Sequence, residues 1–259
     1  ANTTGSNSVA IGLNALQAQT TGGPNIAIGR DALQSVTTAA EFNIAIGYDC
    51  MEDLTTGDKN VAIGDYAAEE LTTGSLNVAI GYKTLEACTT GSNNTAVGYN
   101  ALLVNTAANN NAFGYNSMLD NTSGEGNSAF GHECLSNNTT ANYNTAFGYD
   151  CMQANTTGTN NTAFGKQALE ASTTTNDNVA IGVHALKVAT VSRCTALGAD
   201  AGALLTTGND NTFLGYLAGY DATTAFNNLC VGTMAGHNLT TGHSNFIAGR
   251  YSAGDVLTT

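Results

Sequence analysis

One phrase recurs along the whole chain: Asn, any residue, Ala, a large apolar residue, Gly. Its closing glycine falls at Gly12, Gly29, Gly47, Gly64, Gly81, Gly98, Gly114, Gly131, Gly148, Gly165, Gly182, Gly198, Gly215, Gly232 and Gly249. The steps are 17 residues, apart from one of 18 and two of 16. A fixed short period marks a solenoid, whose units bury a core only against their neighbours. Residues 1–259 therefore read as a single repeat array rather than as one or two conventional domains.

Column by column, the phrase predicts its own local structure. The residue before the glycine is large and apolar in fourteen repeats, with Ala248 the exception. Ala stands two before in twelve repeats, and mostly Val, Ile or Thr stands three before. Such alternation over a few positions reads as a short strand. After the glycine, segments such as "YNAL", "RDAL" and "KQAL" predict a tight turn or one or two helical turns, too short to stand as a helix alone. The expected fold is all-β, a parallel β-solenoid or β-roll of about fifteen 17-residue coils.

The length changes locate the corner. From each glycine to the first Thr of "TT" is always eight residues, from Gly12–Thr20 to Gly232–Thr240. Every change in length falls between that Thr and the next Asn. Lengths vary where chain is exposed, so "TTGxxN" reads as the outer corner and the rest as frame.

Volume changes identify facing positions. In the last repeats the Ala column becomes Phe213, Cys230 and Ile247, while the Leu column becomes Gly202, Gly219, Gly236 and Ala253. Close packing demands such compensation, so the Ala side of each strand should pack on the "AL" segment. The opposite side then carries a strip of large apolar residues. Such a strip is too large to remain in water, so it should meet something.

Composition removes several function classes. Seven Lys and Arg against 20 Asp and Glu give a formal charge of -13, which argues against binding a phosphate backbone. No apolar run approaches the ~20 residues of a membrane-spanning helix, and no secretory signal is visible. The four histidines, His132, His184, His237 and His243, occupy different columns and form no triad or carboxylate grouping. The chain is expected not to be an enzyme and to hold no cofactor or metal, since no Cys/His cluster has zinc spacing.

The phrases "NSVAIG" (Asn7–Gly12), "NIAIG", "NVAIG", "NTAVG" and "NTAFG" resemble the head repeats of trimeric autotransporter adhesins. The longer "TTGSNNTAVGYNAL", Thr89–Leu102, is similar to repeats of bacteriophage tail-fibre proteins. The resemblance spans roughly residues 3–253. It implies a parallel β-roll in which three chains bury their inner strands around one axis. The adhesin period is shorter than 17, and residues 1–259 are expected to contain neither a coiled-coil stalk nor a membrane anchor.

Three columns are candidate sites. The Asn column comprises Asn25, Asn43, Asn60, Asn77, Asn94, Asn110, Asn127, Asn144, Asn161, Asn178, Asn211, Asn228 and Asn245. It reads as a structural amide ladder, with a ligand row as the alternative. Tyr48, Tyr82, Tyr99, Tyr115, Tyr149 and Tyr216 share an outward column with Arg30, Lys166, His132 and Arg250. Their rings either cover neighbouring rungs or offer surfaces for sugars. The Thr columns, interrupted at Ala107, Ser123 and Val191, read as turn hydroxyls, with ice binding a minor alternative. Cys50, Cys88, Cys134, Cys151 and Cys230 read as small buried residues, with a Cys134–Cys151 disulfide as the less favoured alternative.

The functional expectation is a structural and adhesive fibre segment, from a phage tail fibre or an adhesin, located on a virion or cell surface. Fifteen rungs would span about 72 Å as a homotrimer, with reach and multivalent contact to a cell-surface glycan as its mechanism. The alternative is an extracellular filament subunit polymerising end to end. A closed ring of fifteen strands, with a radius near ~11.5 Å, is also geometrically open.

Overall fold

The computed structural model describes residues 7–20, 22–37 and 39–252. Fifteen strands of three residues each follow in chain order, all paired in parallel where they meet. The chain divides into two units, residues 1–127 and 128–259. The first carries β1 (Val9–Ile11), β2 (Ile26–Ile28), β3 (Ile44–Ile46), β4 (Val61–Ile63), β5 (Val78–Ile80), β6 (Thr95–Val97) and β7 (Asn111–Phe113). The second carries β8 (Ser128–Phe130), β9 (Thr145–Phe147), β10 (Thr162–Phe164), β11 (Val179–Ile181), β12 (Thr195–Leu197), β13 (Thr212–Leu214), β14 (Leu229–Val231) and β15 (Phe246–Ala248). Within each unit every strand pairs with the next in sequence, and like column meets like column, as in Ala62 with Ala79 and Phe147 with Phe164. The protein is a parallel β-solenoid, as the repeat requires.

The turn after each glycine contains no helix. Instead, the second and fourth residues beyond the glycine adopt left-handed φ, near +50° to +60°, as at Asn100 and Leu102 or Gln167 and Leu169. This alternation keeps the segment flat. Its amides can then point to the coils on both sides: Asn100 N–H donates back to Tyr82 O, and Leu102 N–H donates forward to Ser117 O. A helical turn would spend those donors on itself. The cost of placing non-glycine residues at positive φ, roughly 1–2 kcal/mol each, is offset by a bond at every rung.

The closing glycine meets two constraints at once. In Gly148 φ is +146°, and an added Cβ would overlap the carbonyl of Gly165 in the next coil. The column therefore marks both a backbone conformation closed to L side chains and a close approach of neighbouring coils.

The core of each coil is filled from three sides. The strand contributes the central Ala, fully buried at Ala45, Ala96 and Ala163. The turn contributes the Leu or Met column: Leu33, Met51, Leu85, Leu102, Met118, Leu135, Met152 and Leu169 are all buried. Packing of the Ala side against this segment is seen directly in the last coils. A Cβ on Gly202 would reach Phe213 Cδ2 at 2.7 Å, and one on Gly236 would reach Cys230 Sγ at 2.7 Å.

The corner departs from a simple exposed loop. Its burial runs with a period of three: Leu54, Gly57 and Asn60 turn inward, while Thr56 and Lys59 face out. A Cβ on Gly57 would press on Leu54 Cδ1 at 2.8 Å. In the 16-residue coils, Ala107 and Val191 take this inward position, and their carbonyls accept the amides of Asn94 and Asn178 as Gly74 O accepts that of Asn60. They do not replace the second Thr, as the sequence alignment implied. That exposed Thr is the residue deleted.

Candidate functional site: the strand face and the rows beside it

Each strand turns its first and third residues away from the core. Across all fifteen strands neither position holds a charged residue, in a chain of formal charge -13. The third position is Ile, Val, Leu or Phe except at Ala248, and the first is Val, Ile, Thr, Ser, Asn, Leu or Phe. These side chains are only partly covered: Ile63, Ile80, Phe164, Ile181, Leu197 and Leu214 are 37–43% exposed, and Ile28, Ile46, Phe130 and Phe147 are intermediate. In the second unit Phe130, Phe147 and Phe164 stack almost parallel, with centroids 4.3 and 4.7 Å apart. The expected apolar strip is thus present on one chain and uncovered by it.

The Asn column lies on the other side of the strand entrance and is buried from Asn25 to Asn228, with Asn245 partly exposed. Asn60 shows the full pattern. Its Nδ2 donates to Asn43 Oδ1 at 3.1 Å and to Gly74 O at 2.9 Å, while its Oδ1 accepts from the amide N–H and Nδ2 of Asn77. Every hydrogen-bonding site of the amide is occupied, leaving none to hold a ligand. Asn43, Asn161 and Asn228 repeat all of these bonds, whereas Asn25, preceded by Ser8 in this column, donates to Ala40 O and Gly23 O instead. At Cys194 the row is interrupted. The Cys194 amide still donates to Asn178 Oδ1, but its thiol offers no acceptor equivalent to an amide oxygen, and Asn211 Nδ2 turns to Gly208 O and Ala225 O.

A second amide row was missed at the sequence level. The residue before the first Thr is mostly apolar in early coils, as at Val36, Leu54 and Leu71, then becomes Asn105, Asn121, Asn138 and Asn155, all fully buried. Asn121 Nδ2 donates to Asn105 Oδ1 at 2.7 Å, and Asn155 Nδ2 donates to Asn138 Oδ1 at 2.9 Å. A change from Leu to four consecutive Asn at one inward column was the available signal.

The Tyr column is outward, with Tyr99, Tyr115, Tyr149 and Tyr216 46–52% exposed. Rings in adjacent coils face each other: Tyr82 with Tyr99 at 5.2 Å, Tyr99 with Tyr115 at 5.4 Å, and His132 with Tyr149 at 4.8 Å. Arg30 covers Tyr48, and Lys166 approaches Tyr149. The ring faces of Tyr82, Tyr99 and Tyr115 are therefore occupied by neighbouring rings. First-column threonines donate their hydroxyl protons to the next coil, as Thr72 Oγ1 donates to Thr89 O and Thr156 Oγ1 to Thr173 O.

All six cysteines are buried thiols. Cys134 and Cys151 are not bonded to each other; their thiols lie 3.2 and 3.5 Å from the carbonyls of Ala146 and Ala163. Burial pushes the Cys50 thiol up to about 12 and that of Cys88 to about 11, so neither is a nucleophile at neutral pH. Among the histidines, His184 lies between Asp200 at 3.0 Å and Gln167 at 3.1 Å. The four histidines remain in separate columns, but against expectation three lie beside carboxylates one repeat away: His132 by Asp150, His184 by Asp200 and His237 by Asp221.

Two groups of side chains could hold a cation. Asp49, Glu52 and Glu69 converge, as do His132, Glu133 and Asp150. Burial first, then like charge from neighbouring carboxylates, raises Glu52, Glu69 and Asp150 above the ordinary carboxyl value. Among the described residues, no helix is long and apolar enough to cross a membrane. No family model matches this chain. No curated protein matches it either.

Proposed function

We propose that the protein is a structural and adhesive fibre segment whose copies associate through the strand face, most simply as a homotrimer. The observation that carries this reading is the uncharged face itself. The backbone and the main Asn row find their partners within a unit, whereas the outward strand residues leave large apolar side chains in water. Burying one half-exposed Phe or Ile contributes of order 1 kcal/mol, and the face repeats that contribution coil after coil. A second copy of the same face is the natural cover, because neither side presents a charge to desolvate.

In this reading the Tyr row supplies attachment. Ring edges and hydroxyls at a regular rung spacing would make many weak polar contacts with a surface glycan, and avidity would replace a deep site. The resemblance to tail-fibre and adhesin repeats supports the same role, on a virion or a cell surface. Analytical ultracentrifugation with negative-stain microscopy tests the assembly. Rod-shaped trimers are expected, and Phe147→Asp with Phe164→Asp should release folded monomers. A wild-type monomer, or long end-to-end filaments unaffected by these changes, would overturn it. A glycan array then tests attachment, with loss of signal expected for Tyr99→Ala.

A further inference from the structure

We propose that His132, Glu133 and Asp150 form a binding site for a late first-row divalent metal ion, of which zinc is the representative. The repeat builds the site. His132 and Glu133 are the first and second residues after Gly131, and Asp150 is the second after Gly148, so one period brings its carboxylate beside theirs. One ligand atom from each lies within 4.8 Å of the other two. His132 Nδ1 and Asp150 Oδ1 are 3.9 Å apart, beyond a hydrogen bond. Ligands bound to zinc at about 2.0–2.2 Å stand about 3.4 Å apart across a tetrahedral edge, so a small side-chain rotation closes the set.

One further observation points to a cation rather than to a merely acidic surface. Asp150 Oδ1 is buried and accepts no hydrogen bond, an uncommon state for a carboxylate oxygen. The other ligands are oriented from outside the set. Gln153 Nε2 donates to Glu133 Oε2 at 2.5 Å, and Tyr149 stacks on the His132 ring at 4.8 Å. Such outer contacts position metal ligands.

The donor chemistry selects the ion. An imidazole nitrogen favours zinc, nickel or copper over calcium and magnesium, which prefer an all-oxygen shell. The Asp49, Glu52 and Glu69 group has only carboxylates and serves as an internal contrast. Three protein ligands leave a coordination position open to solvent beside the half-exposed His132.

Isothermal titration of tag-free protein with zinc chloride tests the proposal, with cobalt(II) absorption as a spectroscopic reading of the ligand set. One zinc per chain is expected, not displaced by excess calcium. Asp150→Asn and His132→Gln should each weaken zinc binding at least about tenfold. Asn tolerates the left-handed conformation of position 150 (φ +52°), and circular dichroism checks that both variants fold. Absence of zinc binding, or binding that survives both substitutions undiminished, overturns the assignment. Loss only on changing His184 or His237 would do the same.

Discussion

The ring of Phe213 lies so close to Gly219 that a Cβ there would stand 2.7 Å from Cζ. Gly202 makes the same allowance from the preceding coil. Replacing Phe213 with Ala should empty that space and cost about 3–5 kcal/mol. Adding Gly219→Leu to Phe213→Ala restores the usual Ala and Leu pairing, with Leu in the conformation Leu186 already adopts (φ +50°). Urea denaturation should show the double variant more stable than Phe213→Ala alone. Additive losses would refute direct packing between the two columns.

Asn60→Ala removes four side-chain bonds and leaves the buried Asn77 amide without its acceptor. At about 1–3 kcal/mol for a buried group left unpaired, a total loss of about 3–5 kcal/mol is expected. The converse change, Cys194→Asn, re-forms the interrupted row and should stabilise by about 1 kcal/mol. Hydrogen exchange at Asn77 and Asn211 would report each effect locally.

Gly148→Ala combines a φ of +146° with overlap of the next coil's carbonyl. A loss of at least about 3 kcal/mol is expected. Thr157→Ala, at an exposed corner position, should stay within about 0.5 kcal/mol. Equal effects in thermal melts would remove the close-approach argument.

Much of this arrangement was legible in the sequence, for a physical reason. A solenoid repeats one environment, so each column samples the same contacts many times. Compensation between Phe213 and the glycines could then be seen without coordinates. The flat turn was not legible, because alternating left- and right-handed residues such as Asn100 and Leu102 need no special composition when coil-to-coil bonds hold them. The Asn105–Asn155 row was hidden because its column is mostly apolar elsewhere, as at Val36, Leu54, Leu71 and Leu205. The His132, Glu133 and Asp150 group was hidden because its members come together across a period rather than within a local motif.

Stability should rise as the solution is acidified from neutral pH toward the ordinary carboxyl range. Burial raises Asp49, Glu52, Glu69 and Asp150 in the folded chain, with neighbouring carboxylates adding to it. The folded state then binds more protons than the unfolded one between the ordinary and the raised values, so stability is lost as pH rises through that window. Asp210, lowered by its hydrogen bond with Arg193, acts in the opposite sense at lower pH but is on the surface and contributes little. A melting temperature that falls over the first stage of acidification would contradict this.

The six thiols should resist alkylation by iodoacetamide in the folded protein at about pH 8 and react together once it unfolds. Burial, which raises Cys50 to about 12 and Cys230 to about 11, is the cause. Mass spectrometry of partly denatured samples would show which coils open first. Rapid native labelling of Cys50 would rule out its enclosed position.

The coil-to-coil bonds have a consequence for how such a protein changes over generations. Within a unit, each round offers the next the same donors and acceptors: a closing glycine carbonyl, an amide side chain, a Thr hydroxyl. One round can be removed or duplicated between closing glycines, and the flanking rounds meet the partners they had before. Misaligned recombination between near-identical stretches of the gene would then alter the protein by whole rounds. Its size would be set by counting, while point substitutions adjust only the chemistry displayed along it.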